Sequence, residues 1–334
     1  MVAKLPIGQP IVQAPMAGIT TPEFVVACCE AGVLGSIGAG YLSGTETKQF
    51  IQEVKAFTTK PFSVNLFVPE QPKADAHLLQ QAKEALQPIC DELNIETPTV
   101  IPTSNVFLDQ VQAILEEGVK IVSFTFGLPD EKTVSTLKQK GVYLIGTATS
   151  VVEAIAVEQA GLDAVVVQGK EAGGHRGSFI EPMVLHPTAT LLKDAIENVS
   201  IPVIAAGGIM TKSQVTDMLK LGASYVQIGT VLLTATECAA PKLHKEAILT
   251  SGIHSTALTK AFTGKYARGL RNKFTEQLKE AVTAPYPVQH YLTQPIRKES
   301  ARQNNREYMS LWMGENSYLA KDASVQEIIE TLLP

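Results

Sequence analysis

The sequence is poor in charge, in cysteine and in long apolar runs. Only 18% of its 334 residues are charged, and 28 Lys and Arg against 33 Asp and Glu give a formal net charge of −5. No run of Lys or Arg stands out, which argues against a broad nucleic-acid footprint and against a polybasic membrane anchor. The substrate is therefore predicted to be a small molecule.

The chain has four cysteines, and none of them suggests a metal site or a disulfide framework. Cys28, Cys29, Cys90 and Cys238 form no CxxC pair and have no histidine at zinc spacing. No apolar run approaches the ~20 residues that a membrane helix needs. The segment 1–10 lacks the charged-then-apolar layout of a signal peptide. We expect a cytoplasmic protein with no metal and no membrane contact.

Several common catalytic motifs are also missing. The chain contains no HExxH, GxSxG, Walker or strand-linked GxGxxG pattern, which argues against protease, esterase, NTPase and Rossmann functions. What is present is a chain that is 45% apolar and long enough to bury a large core. Dividing the length by ~150 suggests two domains, although one large α/β barrel fits equally well.

Short apolar runs alternate with helical patterns up to about residue 230. Most of these runs are continuously apolar, as is typical of parallel strands that are covered on both faces. Eight of them are predicted to be strands: Ile11–Met16, Leu34–Gly38, Phe62–Phe67, Ile121–Phe126, Val142–Thr147, Ala164–Gln168, Val203–Ala206 and Tyr225–Gly229.

Helix start signals follow most of these strands. Thr21 and Pro22 place a capping residue before a proline at the first helical position. Three capping boxes are predicted, at Ser150–Glu153, Thr211–Gln214 and Thr234–Glu237. Eight strand–helix repeats predict an α/β fold of the (β/α)₈ TIM-barrel type, with a doubly wound sheet as the structural alternative.

The predicted domain organisation is a barrel with a smaller cap. Residues 1–238 and 307–334 are assigned to the barrel, and residues 239–306 to a mostly helical cap in which Ala239–Ser300 shows no clear strand. Two connections are long. The first, Val68 to Lys120, contains an extra helix and the proline-containing stretch 97–102; the second, Gly169 to Ile201, begins with a glycine-rich loop.

Glycines follow the last two predicted strands. Gly207 and Gly208 end the seventh strand, and Gly229 and Thr230 end the eighth. Small residues there let a phosphate approach backbone N–H groups, and the loops after strands seven and eight are the usual phosphate site of this fold. A phosphate ligand is predicted, with plain tight turns as the alternative.

The densest polar cluster is the loop 168–177, which directly follows a buried strand. Gly173 and Gly174 let the backbone lie against a flat ligand and present His175 to it. An imidazole there can accept a proton near neutral pH or hold an anion. Glu171 has a structural alternative, as a partner within its own loop. Asn65 places an amide in an apolar strand, so it is either a structural bracket or a ligand contact.

Taken together, these motifs resemble the nitronate monooxygenase family, formerly called 2-nitropropane dioxygenase, in its class I branch. The resemblance runs from about Gln13 to Gly314 and is carried by these segments: Gln13-Ala-Pro-Met-Ala-Gly18, Asn65, Ser123-Phe-Thr-Phe-Gly127, Gln168–Gly177, Ala205-Ala-Gly-Gly208, Gln227-Ile-Gly-Thr230 and Tyr308-x-x-x-Trp312-x-Gly314. It implies an FMN-containing barrel with a cap. It also implies oxidation of alkyl nitronates by O₂, through a flavin semiquinone, to a carbonyl compound and nitrite. Propionate 3-nitronate is the implied favoured substrate.

The resemblance also implies roles for individual residues. The isoalloxazine ring would contact Pro15, Met16, Ala17, Asn65 and Gln168, with Gly173 and Gly174 beside it. The phosphate would be held by Gly207, Gly208, Gly229 and Thr230, with Gln227 close by. His175 would be the catalytic histidine and bind substrate together with Tyr308 and Trp312. Glu315 departs from the family pattern, which usually has Gln at this position.

Three alternatives stay open from sequence. A related flavin-dependent enoyl-thioester or quinone reductase would use NADH and has a similar glycine–histidine loop, although the continuation Arg176-Gly-Ser-Phe179 favours the monooxygenase. The second alternative is a flavin- or phosphate-binding module without turnover. The third is a flavin-free phosphate-binding synthase. The expected partners are a nitronate and O₂, with no nucleic acid and no membrane, and the sequence leaves a homo-oligomer open.

Overall fold

The computed structural model describes residues 4–70, 76–99 and 106–334. Part of the predicted proline-containing stretch 97–102 lies outside these residues. Within the described ranges, no helix is long and apolar enough to cross a membrane.

Eight parallel strands form one sheet with the neighbour order β1-β9-β8-β6-β5-β4-β3-β2. Their bounds are Ile11–Gln13 (β1), Gly35–Gly38 (β2), Phe62–Phe67 (β3), Ile121–Thr125 (β4), Tyr143–Ala148 (β5), Ala164–Gln168 (β6), Val203–Ala206 (β8) and Tyr225–Ile228 (β9). All eight predicted strands are confirmed, three with the predicted bounds and five with shifted ends. The strand predicted over Ile11–Met16 is shorter because Pro15 has no N–H to donate to a sheet.

The sheet closes on itself between β1 and β2. Leu34 donates its N–H to the carbonyl of Ile11 at 3.1 Å, and Gln13 donates its N–H to the carbonyl of Leu34 at 2.9 Å. The buried Gln13 side chain adds a second connection: its amide accepts from the N–H of Ser36 at 2.9 Å and donates to the carbonyl of Ser36 at 3.1 Å. The TIM barrel is therefore confirmed, and the doubly wound sheet is wrong.

Successive side chains along each barrel strand point alternately into two different cores. Ile11, Val122 and Val165 pack outward against the helices. Val12, Ile121 and Val166, one residue away in each strand, fill the barrel interior together with Leu5 and Tyr225 at its amino-terminal end. Both faces of the sheet are covered, and for this reason the strands are continuously apolar in sequence.

Helices follow the barrel strands as predicted. Those around the barrel are α1 (Pro22–Glu30), α2 (Gly44–Phe57), α4 (Phe107–Glu116), α5 (Glu131–Gln139), α6 (Val151–Gln159), α7 (Thr188–Asn198), α8 (Lys212–Lys220), α9 (Thr230–Leu233) and α13 (Val325–Leu332). The remaining helices are α3 (Ala76–Leu93), α10 (Lys242–Leu249), α11 (Lys273–Gln277) and α12 (Val288–Arg302).

Three of the four predicted helix starts are confirmed. Thr21, Ser150 and Thr211 each accept a backbone N–H at the start of their helix. Only Thr211–Gln214 forms the full capping box, because Glu153 accepts the N–H of Thr149 and not that of Ser150. The capping box predicted at Thr234–Glu237 is wrong. Thr234 follows the last residue of α9 and donates its hydroxyl to the carbonyl of Lys321 at 2.8 Å. These polar side chains hold the C-terminal segment instead, since Glu237 accepts the N–H of Val325 at 3.0 Å.

The cap contains a small antiparallel sheet that the sequence did not predict. Its strands are β7 (Gly174–His175), β10 (Thr256–Thr259) and β11 (Ala267–Leu270), in the order β10-β11-β7. The expectation of no strand in Ala239–Ser300 is wrong, because strands of four residues are too short to show a clear alternation. One of its two edge strands, β7, comes from the long loop after β6.

A second apolar core lies under the cap. It joins Leu86 and Ile89 of α3 with Phe262, Phe274 and Leu292 of the cap. Both α3 and β7 belong to residues 1–238 in sequence yet pack with cap elements. The division into residues 1–238 with 307–334 and residues 239–306 stays a prediction.

We expect the closure of the barrel to depend on Gln13. Gln13→Ala leaves the buried N–H and carbonyl of Ser36 without their side-chain partners, at about 1–3 kcal/mol for each unsatisfied group. The free energy of unfolding measured in urea should therefore fall by about 2–6 kcal/mol. Gln52→Ala removes an exposed amide hydrogen bond and is the control, expected within about 0.5 kcal/mol of the parent. Equal effects of the two substitutions would contradict the proposed closure.

Candidate active site

A cavity of about 730 Å³ lies at the carboxyl ends of the barrel strands, beneath the cap. This is the face on which TIM barrels carry their active sites, and the volume is typical of a site for a cofactor and a small ligand. Of the predicted site residues, the cavity is lined by Pro15, Met16, Ala17, Asn65, Gln168, Gly173, Gly174, His175, Gly207, Gly208, Gln227, Gly229, Thr230 and Trp312.

The loop 168–177 is held by two side chains. Gln168 donates to the carbonyl of His175 at 2.9 Å and accepts the N–H of Gly177 at 2.8 Å. The fully buried guanidinium of Arg176 donates to the carbonyls of Gly169 and, at 2.8 Å, Gln168. Both ends of the Gln168 amide are thus used within the loop, so this residue positions His175 as well as lining the cavity.

His175 is positioned by the barrel and the cap together. It lies on β7 and pairs with Ala267 of β11. Its ring is surrounded by Phe126 from the barrel and by Tyr286 and Trp312 from the cap side, with ring centroids at 5.7, 6.3 and 5.5 Å. The Nε2 atom lies 2.9 Å from the hydroxyl oxygen of Thr263. The ring remains partly accessible from the cavity.

Burial beneath the cap is the main reason that His175 is neutral. It lowers the pKa of this histidine from 6.5 to about 3, with smaller contributions from the positive charges of Arg297 and Lys265. His290, also on the cavity wall, has its pKa lowered to about 3 by burial, by Arg297 and by His175. A neutral imidazole with so low a pKa is a weak proton acceptor, because a good general base has a pKa near the working pH.

The hydroxyl of Thr263 determines how His175 can act. Thr263 is close enough to donate to the carbonyl of Lys265, at 3.2 Å. When it does so, it accepts the Nε2–H of His175, and the Nδ1 atom carries no proton. When Thr263 donates to Nε2 instead, Nδ1–H is available to donate to an anionic ligand. The contact therefore links the tautomer of His175 to one hydroxyl group.

The glycines after β8 and β9 form the opposite end of the cavity. Gly207 and Gly208 have positive φ angles of 122° and 70°, which L-amino acids with a side chain rarely adopt. Asn316 donates to the carbonyl of Gly208 at 2.7 Å, and Thr230 accepts the N–H of Gly314 at 2.9 Å. A Cβ atom on Gly208 would lie 2.9 Å from Glu171 Cβ. The backbone is thus exposed to a ligand at a point where side chains are excluded.

The side-chain amide of Asn65 on the cavity floor has a free acceptor. Asn65 on β3 donates to Ser123 Oγ at 2.9 Å and Thr125 Oγ1 at 3.1 Å. No hydrogen bond to its Oδ1 atom is formed by the described residues. Asn65 is therefore held by β4 as a structural bracket and still offers an acceptor to a ligand.

The structure does not bring Tyr308 to the cavity. Its ring is fully buried against Phe274 in the second core, with centroids 6.4 Å apart. The predicted substrate contact of Tyr308 is therefore corrected to packing under the cap. Trp312, from the same motif, lines the cavity, and its carbonyl accepts from His244 Nε2 at 2.8 Å.

The two acidic residues near the site have structural partners. Glu315 forms an ion pair with Arg268 of β11 at 2.9 Å, so the carboxylate that departs from the family pattern contacts the cap. Glu171 accepts the N–H and hydroxyl of Thr188 at 3.0 and 2.7 Å, at the start of α7. Neither of these glutamates lines the cavity.

The sequence analysis missed several cavity residues, among them a group from the cap. Residues 290, 291, 294, 297, 298 and 301 of α12 line the cavity, all but Ala301 with a polar side chain, and their spacing places them on one helix face. That polar stripe was the available signal. Tyr41 and Thr263 had no sequence signal, since their roles depend on contacts with distant segments.

Charge in the cavity has one sign. The charged residues that line it are Arg297 and Lys298, and no Asp or Glu of the described chain does so. The described residues also contain no group of three or more His, Cys, Asp or Glu able to hold a metal ion. The cavity is therefore suited to anionic ligands.

We expect His175 and His290 to make the folded protein sensitive to acid. Their pKa values of about 3 in the folded state lie below the ordinary 6.5, so the unfolded chain binds more protons between these values. Stability is then complete above pH 6.5 and decreases as the pH falls below it. At pH 5 each histidine should lower the free energy of unfolding by about 2 kcal/mol relative to pH 8.

Urea unfolding of the ligand-free protein at both pH values measures this effect. His290→Asn should lose about 2 kcal/mol less than the parent on going from pH 8 to pH 5, whereas His77→Asn, at an exposed position, should match the parent. An unchanged pH dependence in His290→Asn would contradict the assignment.

Comparison with known proteins identifies relatives over the whole chain. A family model described as nitronate monooxygenase matches residues 1–334. A probable nitronate monooxygenase of Staphylococcus haemolyticus is 42% identical over 339 residues, covering 99% of this chain and 94% of the relative. A protein of the same description from Staphylococcus aureus strain Newman is 42% identical over 335 residues, covering 98% and 94%.

Two solved structures are also similar. The nitroalkane oxidase of Streptomyces ansochromogenes has a TM-score of 0.92 at 36% identity, with 98% of this chain and 95% of that chain covered. FabK of Thermotoga maritima has a TM-score of 0.75 at 30% identity, with 98% and 92% covered.

Proposed function

The chain belongs to the nitronate monooxygenase family and is an oxidoreductase that acts on nitronates at the level of that family, and we propose that it uses FMN and O₂ to convert alkyl nitronates into a carbonyl compound and nitrite. The proposed favoured substrate is propionate 3-nitronate, and the proposed location is the cytoplasm. The observation that carries the proposal is the charge of the cavity, which is lined by cations and by no carboxylate of the described residues.

The absence of an acidic side chain among these lining residues favours a nitronate over a neutral nitroalkane. A neutral nitroalkane must first lose a proton from carbon, and that step needs a base with a pKa near the working pH. The described lining residues include no Asp or Glu, and the pKa of His175 is about 3. A nitronate is already an anion, so it needs only to be positioned and to have its charge compensated.

The cavity has the features that FMN requires. We propose that the phosphate is held by Gly207, Gly208, Gly229 and Thr230, with Gln227 nearby. The isoalloxazine ring would lie against Pro15, Met16, Ala17, Gly173 and Gly174, with Asn65 Oδ1 as an acceptor for a ring N–H. When bound, FMN supplies the one-electron transfer and the reaction with O₂. Gln168 affects the site indirectly, because its amide bonds to the backbone of His175 and Gly177, on either side of Arg176.

We assign to His175 the task of orienting the nitronate group. With Thr263 donating to Nε2, the Nδ1–H group can donate to a nitro oxygen without carrying a positive charge. The ring of Trp312 packs against the ring of His175 from the cap side, with centroids 5.5 Å apart. This assignment makes His175 a hydrogen-bond donor to the substrate anion and gives it no role as a base.

The purified protein should be yellow and should distinguish a nitronate from NADH. In the absence of O₂, propionate 3-nitronate is expected to change the flavin spectrum rapidly, whereas NADH should change it slowly or not at all. With O₂ present, nitrite and a carbonyl compound should form. Rapid bleaching by NADH without a response to the nitronate would support the reductase, and a colourless protein that takes up no FMN would overturn both functions.

Substitutions at His175 and Thr263 test the donor role. His175→Asn removes the imidazole and its Nδ1–H, and should lower kcat/KM for the nitronate by at least tenfold, the loss of about one hydrogen bond to a charged group. Thr263→Val should lower kcat/KM for the nitronate by about tenfold, because Nε2 of His175 loses the partner that fixes the tautomer. Thr263→Ser keeps the hydroxyl and should retain the parent value. A parent-like kcat/KM in both His175→Asn and Thr263→Val would rule out the role.

A further inference from the structure

Arg297 is a cation that faces the cavity without an acidic partner. It lies on α12, one turn before the helix ends, and lines the cavity together with His290. Its Nη2 atom donates to the carbonyl of His290 at 2.9 Å and lies 3.4 Å from Nδ1 of the same residue. Its Nε atom is buried and has no hydrogen-bond partner within the described chain.

The guanidinium forms no ion pair with a described Asp or Glu, unlike Arg268 and Arg302 of the same cap. Burial lowers the pKa of Arg297 to about 10, so the group is charged at neutral pH. A half-buried cation whose buried Nε–H has no partner is costly unless an anion accepts from it. The missing partner is therefore expected to be a ligand.

Arg297 lies across the cavity from Gly207 and Gly208, the glycines proposed to hold the phosphate. His290, to which it is bonded, stacks on Tyr41 with ring centroids 4.5 Å apart, and Tyr41 contacts Phe67 at the end of β3 at 5.3 Å. In the closed barrel, β3 lies across from β8, which carries Gly207 and Gly208. Arg297 is thus on the His175 side of the cavity, where its charge acts on that histidine.

We propose that Arg297 binds the carboxylate of a nitronate that carries an acid group at the far end of a short chain, and that it sets the preference for such substrates over simple alkyl nitronates. This inference rests on the proposed function and deepens it. His175 holds the nitro end, and Arg297 holds the carboxylate end through the forked geometry that guanidinium groups use for carboxylates. Lys298, an exposed neighbour at the same wall, attracts the dianion without this geometry.

Two nitronates with the same three-carbon chain test the assignment. Propionate 3-nitronate has a carboxylate where the nitronate of 1-nitropropane has a methyl group. In Arg297→Gln, kcat/KM for propionate 3-nitronate should fall about 30-fold or more, mainly through KM, as expected for the loss of a charged hydrogen bond. The value for the nitronate of 1-nitropropane should change less than about threefold. Arg297→Lys keeps the positive charge but not the forked guanidinium, and should lower kcat/KM for propionate 3-nitronate by an intermediate factor.

Arg302→Gln is the matched control, because this arginine lies on the same helix, is 74% exposed and pairs with Glu299. It should leave both substrates at parent values. Equal losses for the two nitronates in Arg297→Gln and Arg297→Lys would overturn the carboxylate role, as would no loss for either. In both cases the proposed function would stand as long as the parent enzyme oxidises nitronates.

A binding measurement tests carboxylate binding by Arg297 without enzyme turnover. Succinate has carboxylates at both ends of a chain and resembles propionate 3-nitronate in charge, whereas butyrate has only one. Calorimetry should show tighter binding of succinate than of butyrate to the parent protein, and a difference that disappears in Arg297→Gln. If the parent oxidised neither nitronate, the proposed function would be wrong, and the succinate result alone would support or overturn an anion site at Arg297.

Discussion

The loop 168–177 is the constraint on which the rest of the site depends. The Arg176 guanidinium and the Gln168 amide satisfy four backbone groups of this loop, and they do so inside the protein, where an unpaired polar group is costly. The same loop contributes β7 to the sheet of the cap. One set of buried hydrogen bonds therefore fixes His175, joins the barrel to the cap and forms one wall of the cavity.

The barrel and the cap contribute different chemistry to the cavity. The barrel supplies glycines, small residues and amides at the ends of its strands, which suit a flat cofactor with a phosphate. The cap supplies aromatic rings, Thr263 and the cationic residues of α12. Burial, helped by the charge of Arg297, keeps His175 and His290 neutral, and anions are favoured because the described lining residues include cations and no carboxylate. The proposed nitronate chemistry follows from this balance, since its substrate arrives already deprotonated.

The local features of the barrel could be predicted from sequence. Continuous β-branched runs such as Ala164–Gln168 require two covered faces, and Thr21 and Thr211 are helix caps whose partners lie within the next few residues. Predictions failed where a side chain has a distant partner. Thr234 has the pattern of a helix cap but bonds to Lys321, and Tyr308 belongs to a motif next to the site but packs in the second core.

The sequence alone determined the eight strand–helix repeats, the glycines suited to a phosphate and the glycine–histidine loop, because each depends on neighbouring residues and on the periodicity of burial. Only the tertiary structure decided that the barrel closes through Gln13, that β7 completes a sheet with β11, and that α12 places Arg297 on the same side of the cavity as His175. These features join segments that are 20 to more than 100 residues apart in the chain. No local pattern specifies such contacts, since they result from the burial of distant surfaces against one another.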